Sequence, residues 1–365
     1  MKNAVIFGNG LNIKFGGKDY SNAKIIRRGF NTLRQDHKVY DVVPRETLAF
    51  FSKLYTLIPE VLSGAYDDTD DVQNDSLLKR FKSVYSSRTL HDMGDIGLED
   101  YLFVAHLIYS SRRKYPVLPD DRDTFSLGQE NEALECIQDM LLIGIYNHGK
   151  VNRLFSRYSP AFIQFVNAFD AVFTTNYDLN LDNIYSNTVH HIHGQFDVLN
   201  QLYDPHSLRN SLSDKQFDAN KLANKPGYEY LHSTALMGYS GELKYQTLAN
   251  MNNLSRLTKA DILQVPDSGV DLREKRLALE AQQKIDDDPT LSFQSMLAIE
   301  NYERFSGEIS IIGLSPENDS HVFTDREGVT YRYYYFSDQD VRSAKNTLPS
   351  STEYVSVAEL WNALN

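Results

Sequence analysis

The chain has 365 residues, 41% of them hydrophobic, which is enough to bury a full core. Its 49 acidic and 37 basic residues leave a formal net charge of −12, which repels phosphate backbones and argues against direct nucleic-acid binding. A single cysteine excludes an intrachain disulfide and a zinc ribbon, and the lack of both a signal-peptide pattern and an apolar run near ~18 residues predicts a cytoplasmic protein outside the membrane.

The first part of the chain combines one buried strand with a long helical stretch. Residues 3–8 form an apolar run that ends in a glycine, which predicts a strand entering a tight turn. Over residues 20–168 apolar side chains mostly recur at helical spacing, as Leu98 and Tyr101 do. Cys136 falls on such a face and is interpreted as a core residue. Residues 20–168 are therefore predicted to form a large, mostly helical insertion.

Two strands and a polar segment follow the helical stretch. Residues 171–176 are rich in β-branched and aromatic side chains and predict a central strand, and residues 189–193 predict another. Residues 197–290 are polar and broken by prolines, which predicts an insertion of loops and helices.

Buried strands return in the C-terminal part of the chain. Strands are predicted over residues 308–313, 332–336 and 353–357, with a helix between the last two and a closing helix over residues 358–364. Strands that alternate with helices predict an α/β fold, a Rossmann-like parallel sheet flanked by helices, in a single domain over residues 1–365.

Four polar motifs each lie at the end of a predicted strand. They are residues 8–10 (Gly-Asn-Gly), 174–178 (Thr-Thr-Asn-Tyr-Asp), 191–194 (His-Ile-His-Gly) and 313–319 (Gly-Leu-Ser, then Asn-Asp). The carboxyl ends of parallel strands line one crevice in an open α/β sheet. We therefore expect the four motifs to converge on one ligand.

The Gly8-Asn9-Gly10 turn suits an approach of the backbone to a phosphate. Glycines allow the sharp turn, and the helix that follows would direct its N-terminal amides at the anion. The third glycine of the usual dinucleotide fingerprint is missing, since position 13 is Ile13. A purely steric need for glycine between a strand and a helix is the alternative interpretation.

Asn176 and Asp178 follow the predicted central strand. Buried polar groups need partners, and a ligand is one way to supply them. The alternative is a turn in which Asp178 caps the next helix.

His193 precedes Gly194, where a glycine leaves room for a substrate beside an imidazole that accepts a proton near neutral pH. With His190 and His191, three histidines stand within four residues, a pattern that also raises metal binding. Alternation along a strand turns His190 away from the other two, and no carboxylate spacing completes a site. No metal is predicted.

Residues 313–315 with Asn318 and Asp319 offer hydroxyl, amide and carboxylate groups of the kind that hold ribose hydroxyls. The alternative is an ordinary turn in which Asp319 caps a helix. Glu99 and Asp100 stand in the first turn of a predicted helix, where the helix dipole favours acids.

Taken together, these motifs resemble the sirtuin-like NAD-hydrolysing effectors of bacterial antiphage defence, over nearly the whole chain. The resemblance implies that Asn176 and His193 form the catalytic pair. The residues that it implies around the dinucleotide are Gly8, Asn9, Gly10, Asn12, Asp178, Gly313, Ser315 and Asp319. The Gly-Asn-Gly-Leu-Asn opening and the His-Ile-His-Gly segment also look like the related abortive-infection family AbiH.

The chain departs from the sirtuins that deacetylate proteins. It lacks their four zinc-binding cysteines and their Gly-Ala-Gly opening, which argues against removal of acyl groups from lysine. The resemblance instead implies hydrolysis of NAD to nicotinamide and ADP-ribose, with no cofactor beyond NAD as the substrate. An uncontrolled NADase would empty the cell of NAD, so the resemblance also implies control by homo-oligomerisation or by a partner such as a HerA-type ATPase.

Two other functions stay open at this point. A subunit that senses NAD or ADP-ribose would bind the ligand without cleaving it, since a fold alone does not establish turnover. A scaffold would use the same motifs only as turns and caps.

Overall fold

A six-stranded parallel sheet forms the centre of the structure. The structure is a computed structural model that describes residues 2–35, 45–67, 72–111, 127–197, 225–236 and 299–364, with Leu222, Gln283, Asp286 and Asp287. The strands are β1 (Asn3–Phe7), β2 (Ala171–Thr174), β3 (Val189–His191), β4 (Gly307–Ile312), β5 (Val329–Tyr335) and β6 (Glu353–Ser356). Their order is β3-β2-β1-β4-β5-β6, and all neighbours are parallel. The predicted Rossmann-like sheet is confirmed.

Helices occupy most of the described chain between β1 and β2. They are α1 (Gly10–Gly16), α2 (Asn22–Gln35), α3 (Arg45–Ser63), α4 (Val72–Tyr85), α5 (Leu98–Ser111), α6 (Leu127–Tyr146) and α7 (Pro160–Val166). The later helices are α8 (Ile299–Glu303), α9 (Asp338–Thr347) and α10 (Val357–Ala363). None of the helices in the described ranges is long and apolar enough to cross a bilayer.

The predicted division of the chain stays a prediction. Cys136 lies on α6 and packs, partly buried, against the core of the helical block. Most of residues 197–290 lie outside the described residues, so the predicted polar insertion has no structural account here.

Burial on both faces explains why β1 has an unbroken apolar sequence. Ala4 and Ile6 pack into the core on one face of the sheet, whereas Val5 and Phe7 pack into the core on the other. All four side chains have no accessible surface. Parallel strands covered by helices on both sides need this pattern, and it is what made the strand predictable.

The third strand ends earlier than predicted. β3 stops at His191, although the amide of Ile192 still donates to the carbonyl of Thr174 at 3.0 Å. Gly194 then takes a φ of +89°, and a Cβ there would lie 2.1 Å from the carbonyl oxygen of Thr234. This turn takes His193 out of the sheet.

Close contact between two loops defines the point where the strand order reverses, between β1 and β4. The amide of Gly8 donates to the carbonyl of Ile312, and the amide of Gly10 donates to the carbonyl of Gly313, both at 2.9 Å. A Cβ on Gly10 would lie 2.5 Å from Cα of Gly313. The steric alternative is therefore sufficient to explain the glycines of the first turn.

Replacing Gly10 by alanine tests this contact. The added methyl group meets backbone that cannot move aside, so we expect the free energy of unfolding to fall by about 2–3 kcal/mol. The control is Ile13→Ala, because Ile13 lies on the same helix and is 40% exposed. This substitution should change the free energy of unfolding by no more than about 0.5 kcal/mol. Urea unfolding measures both, and equal effects would contradict the close contact.

Candidate functional site

A cavity of about 910 Å³ lies at the carboxyl ends of the strands. Its wall contains the segments that follow β1, β2 and β4, and it extends along the ends of β5 and β6. Small-molecule sites span roughly 300–1,000 Å³, and open α/β sheets bind ligands where the strand order reverses. Position and size both make this cavity the candidate active site.

The cavity brings together the predicted site residues with one exception. Those in its wall are Asn9, Gly10, Asn12, Asn176, Asp178, His193, Gly313, Ser315 and Asp319. Gly8 lies behind the wall, where its carbonyl accepts a hydrogen bond from the side chain of Asn176. The roles assigned to these residues stay predictions.

Asn176 is held rigidly just beyond β2. Its main-chain amide donates to Oγ1 of Thr174 at 3.0 Å, and its Nδ2 donates to the carbonyl of Gly8 at 3.1 Å. A carbonyl can only accept, so this contact fixes the orientation of the amide. Oδ1 receives no hydrogen bond from the described residues and is the atom that Asn176 offers to the cavity.

His191 supports Asn176 from behind. Its Nδ1 lies 3.0 Å from the carbonyl oxygen of Asn176, and its Nε2 lies 3.0 Å from Oδ2 of Asp182. Burial lowers the pKa of His191, but the hydrogen bond and charge of Asp182, with the Asn176 carbonyl, outweigh this and raise it. Both partners accept, so the imidazolium form satisfies both. Sequence reasoning considered His191 only as a metal ligand.

Asp178 organises a buried network and does not cap a helix. Its Oδ2 accepts from Nδ2 of Asn12 at 2.7 Å, and its Oδ1 accepts from the amide of Asn180 at 3.1 Å. The chain continues in turns, so the carboxylate makes an Asx-type contact two residues on. Burial raises the pKa of Asp178, and the bonds from Asn12 and Asn180 oppose this. Oδ1 of Asn12 is buried and has no hydrogen-bond partner within the described part of the chain.

The loop after β4 is closed by Asp319. Oδ2 of Asp319 accepts from the amide of Ser315 at 3.0 Å, and the amide of Asp319 donates to the carbonyl of Ser315 at 2.8 Å. Asp319 precedes a 3₁₀ helix, Ser320–Val322, but its side chain does not cap that helix. Oδ1 of Asn318 is buried, and no group in the described ranges forms a hydrogen bond with it. Asn12 and Asn318 both line the cavity, so a ligand there would lie next to both residues.

A second histidine, His321, meets His193. The two Nε2 atoms lie 3.1 Å apart, and the residues are 8% and 4% exposed, respectively. The rings are 14° from parallel with centroids 5.2 Å apart, so they meet edge to edge rather than face to face. Sequence reasoning missed His321, because nothing near it in the sequence indicates a partner 128 positions away.

Glu99 and Asp100 lie in the first turn of α5, as predicted, but the helix dipole is not their main environment. Asp100 is 1% exposed and accepts from Nη1 of Arg80 at 3.0 Å and from the hydroxyl of Tyr85 at 2.5 Å. Glu99 lines the cavity and accepts from the hydroxyl of Tyr177 at 2.9 Å. Asp100 also lines the cavity, so this helix contributes two carboxylates to the wall.

Two cations line the cavity, Lys14 and Arg88. Arg88 forms an ion pair with Glu317, which joins the helical block to the loop after β4. Nζ of Lys14 lies 5.1 Å from the centre of the Trp361 ring. These are the groups in the described wall that can balance a negative charge on a ligand.

The three histidines at positions 190, 191 and 193 do not converge. His190 faces Asn301 on the outside, with 3.3 Å between Nδ1 and Nδ2, whereas His191 contacts Asp182 and His193 contacts His321. Within the described ranges, no group of three or more His, Cys, Asp or Glu side chains could hold a metal ion.

Comparison with known proteins adds no relative. The chain matches no family model, no curated protein and no solved structure. The cavity wall itself offers the amide of Asn176, the imidazole of His193 and the amides of Asn12 and Asn318.

Asp182→Asn tests the support behind Asn176. A raised pKa in the folded state means that the folded protein holds the proton longer, so the contribution of His191 is full below about pH 6.5 and is lost as the pH rises through the raised value. We therefore expect the free energy of unfolding of the wild type to decrease as the pH rises from about 6.5 through the raised pKa of His191. Asp182→Asn should make this decrease smaller. Urea unfolding at a series of pH values measures the free energy of unfolding of both proteins.

Glu359→Gln, at an exposed carboxylate on α10, is the matched control and should keep the wild-type pH dependence. If the pH profile of Asp182→Asn also matches that of the wild type, His191 is not held as described.

Proposed function

We propose that the cavity binds NAD and hydrolyses the bond between nicotinamide and ribose, releasing nicotinamide and ADP-ribose. The main support is that Asn176 and His193, which follow the neighbouring strands β2 and β3, line the same cavity. The strand order β3-β2-β1-β4-β5-β6 is that of dinucleotide-binding sheets, which place their ligand where the order reverses. The resemblance to sirtuin-like NAD-hydrolysing effectors leads to the same pair.

Asn176 suits the charge that develops in this reaction. As the bond between ribose and nicotinamide breaks, positive charge grows on the sugar, as in other glycoside cleavages. Oδ1 of Asn176 carries partial negative charge and is fixed through the contact of Nδ2 with Gly8. A preorganised dipole of this kind stabilises the transition state, or holds a ribose hydroxyl or the attacking water, without having to rearrange.

His193 takes the proton in the proposed step. The oxygen of water bonds to the anomeric carbon, the electron pair of the broken bond returns to the nicotinamide ring, and nicotinamide leaves neutral. The proton lost by water passes to His193 and then to solvent. No cofactor beyond the substrate NAD enters this scheme.

The rest of the cavity offers groups for the remainder of the dinucleotide. Asn12, Ser315 and Asn318 line the cavity, and their side chains are of the kind that accept from or donate to ribose hydroxyls. Lys14 and Arg88 are the cations of the wall, and Arg88 is already paired with Glu317, so Lys14 is the cation that we assign to the pyrophosphate. The carboxylates in the wall already accept internal hydrogen bonds, for example Glu99 from Tyr177, which limits their repulsion of the ligand.

The resemblance to antiphage effectors also suggests a role for this activity in the cell. We propose an antiphage defence effector in the cytoplasm whose NADase activity is controlled by assembly, either of several copies of this chain or with a HerA-type ATPase. Control is needed because unregulated hydrolysis would consume the NAD of the host.

A sensor that binds NAD or ADP-ribose without cleaving it is the second candidate. The observation in its favour is that both proposed catalytic side chains have internal partners, Gly8 for Asn176 and His321 for His193. Side chains used only for binding would be held in the same way.

Ligand binding distinguishes either function from a scaffold. A ligand that prefers the folded state raises its melting temperature, so we expect NAD and ADP-ribose to raise the Tm in thermal-shift measurements. Asn318 lines the cavity, and its Oδ1 has no hydrogen-bond partner among the described residues, so Asn318→Ala should leave the ligand-free Tm the same or raise it while the NAD-induced shift becomes smaller. No shift with either ligand at millimolar concentration would leave only the scaffold.

Turnover distinguishes the enzyme from the sensor. We expect Asn176→Ala and His193→Ala each to lower nicotinamide release by about a hundredfold or more, because each removes a group that acts in the transition state. Chromatographic detection of nicotinamide, at several protein concentrations to allow assembly, measures the rate.

Asn31→Ala, at an exposed position of α2, is the control and should keep the wild-type rate. Wild-type turnover in both site variants would rule out the pair, whereas NAD binding with no release from any assembly of the wild type would favour the sensor.

A further inference from the structure

We propose that His191, paired with Asp182, is a positioning residue for Asn176, and this inference rests on the proposed function. Nδ1 of His191 donates to the main-chain carbonyl of Asn176 and Nε2 donates to Oδ2 of Asp182, both at 3.0 Å. The juxtaposition that carries the inference is one buried imidazole between these two acceptors. Asn176 is fully held only while both ring nitrogens of His191 carry a proton.

Three hydrogen bonds in the described part of the chain hold Asn176, and one of them depends on a proton that can be lost. Its amide donates to Oγ1 of Thr174, and its Nδ2 donates to the carbonyl of Gly8. Neither contact involves a group that titrates near neutral pH. The third comes from His191, which ends β3 and lies opposite Thr174 in the parallel register. Its loss releases the peptide between residues 176 and 177, just beyond β2.

The two acceptors require two ring protons. A carbonyl and a carboxylate only accept, so each contact needs an N–H on the nitrogen that faces it. A neutral imidazole has one N–H, and its other nitrogen then presents a lone pair to an acceptor. The bond to the carboxylate of Asp182 is charge-assisted and the stronger of the two, so the neutral ring keeps its proton on Nε2. Deprotonation of His191 therefore replaces the attraction to the Asn176 carbonyl by repulsion.

The charged groups between β2 and β3 favour the doubly protonated ring. Asp182 contacts His191 directly, and the buried carboxylate of Asp178 belongs to the same connecting segment. Burial lowers the pKa of His191, but Asp182, the carbonyl of Asn176 and the charge of Asp178 outweigh burial and raise this pKa. His191 is therefore charged near neutral pH.

The opposite face of β3 packs against α8. His190 points to this face, where its Nδ1 lies 3.3 Å from Nδ2 of Asn301. Burial and the charge of His191 lower the pKa of His190, so the two neighbouring rings are not both charged near neutral pH. The acids of α8 are Glu300 and Glu303, and they belong to this opposite side of the strand. The proton on His191 is therefore governed by the two carboxylates that follow β2.

The ring reaches solvent through Asp182. His191 is 3% exposed, whereas the side chain of Asp182 is 34% exposed. The imidazole is thus fixed by its surroundings, while its carboxylate partner meets water and allows proton exchange. His191 can lose its proton without an opening of the core.

The proposed reaction then needs opposite protonation states in two histidines. His193 has to be unprotonated to take the proton of the attacking water, whereas His191 has to be charged to hold Asn176. The rate rises with pH on the acid side as His193 loses its proton and falls on the alkaline side as His191 does. A dipole stabilises the transition state only when it is held in place beforehand, so the loss of this contact acts on kcat more than on KM.

Two substitutions in the full chain test the inference. His191→Asn keeps a donor near the position of Nδ1 that does not titrate, whereas His191→Phe keeps a ring without a donor. We expect kcat of the wild type to fall by about tenfold or more as the pH rises through the raised pKa of His191, while KM for NAD changes by less than about twofold. His191→Phe should have a low kcat at every pH. His191→Asn should restore most of kcat and lose the alkaline fall.

The matched control is His91→Asn, because His91 is an exposed histidine far from β3 in the sequence. This variant should keep the wild-type kcat and its dependence on pH.

A second measurement does not depend on turnover. Nitrogen chemical shifts from ¹⁵N-labelled histidine report the protons on each ring, and His191 is assigned by comparison with His191→Asn. We expect both nitrogens of His191 to be protonated at about pH 6.5 and Nδ1 to lose its proton at higher pH. The side-chain amide signal of Asn176, assigned by its absence in Asn176→Ala, should shift with the same midpoint in the wild type and stay constant in His191→Asn.

The readouts keep the failures apart. A wild-type kcat without an alkaline fall, an equal fall in His191→Asn, or a singly protonated His191 at about pH 6.5 overturns the role of His191 even if NAD is hydrolysed. If no assembly of the wild type hydrolyses NAD at any pH, the proposed reaction is overturned. The Asn176 signal then decides the positioning by itself, because a shift that follows His191 supports it and a constant signal overturns it.

Discussion

The close contact between the loops after β1 and β4 is the constraint on which the site depends. Gly10 and Gly313 meet backbone to backbone, at a distance that leaves no room for a side chain on Gly10. This contact fixes the path of the first turn and, with it, the carbonyl of Gly8 that holds the amide of Asn176. Segments more than 300 positions apart in the chain are thereby joined into one wall.

The sheet and the location of the site could be predicted from the sequence because both follow from local patterns. Strands buried on both faces, such as β1 and β4, have nearly uninterrupted apolar runs, whereas β5 and β6 are less buried and were recognised by their β-branched and aromatic residues. Polar motifs at the carboxyl ends of parallel strands converge by geometry alone. For this reason Asn176, His193 and the loop after β4 were expected to lie together, as they do.

The partners of the site residues could not be predicted, because they are set by tertiary contacts. Asn12 and Asp178 are 166 positions apart, and His193 and His321 are 128 positions apart. The local sequence around each of these residues does not indicate its partner. Asp178 was weighed as a helix cap, yet the chain beyond it forms turns and its carboxylate contacts Asn12 and Asn180. Helix and capping propensities depend on the local sequence of one segment. The burial and hydrogen bonding of Asp178 depend on distant segments that the sheet brings together.

The hydrogen bond from Asn176 to Gly8 has a genetic consequence. Its acceptor is a main-chain carbonyl, so no exchange of the side chain at position 8 deletes the accepting atom. The direction of the Asn176 amide is therefore encoded by the course of the polypeptide rather than by a codon for a particular polar residue. A substitution at position 8 can disturb this hydrogen bond only by changing the backbone conformation of the turn, and the close contacts of Gly8 and Gly10 with Gly313 restrict such a change.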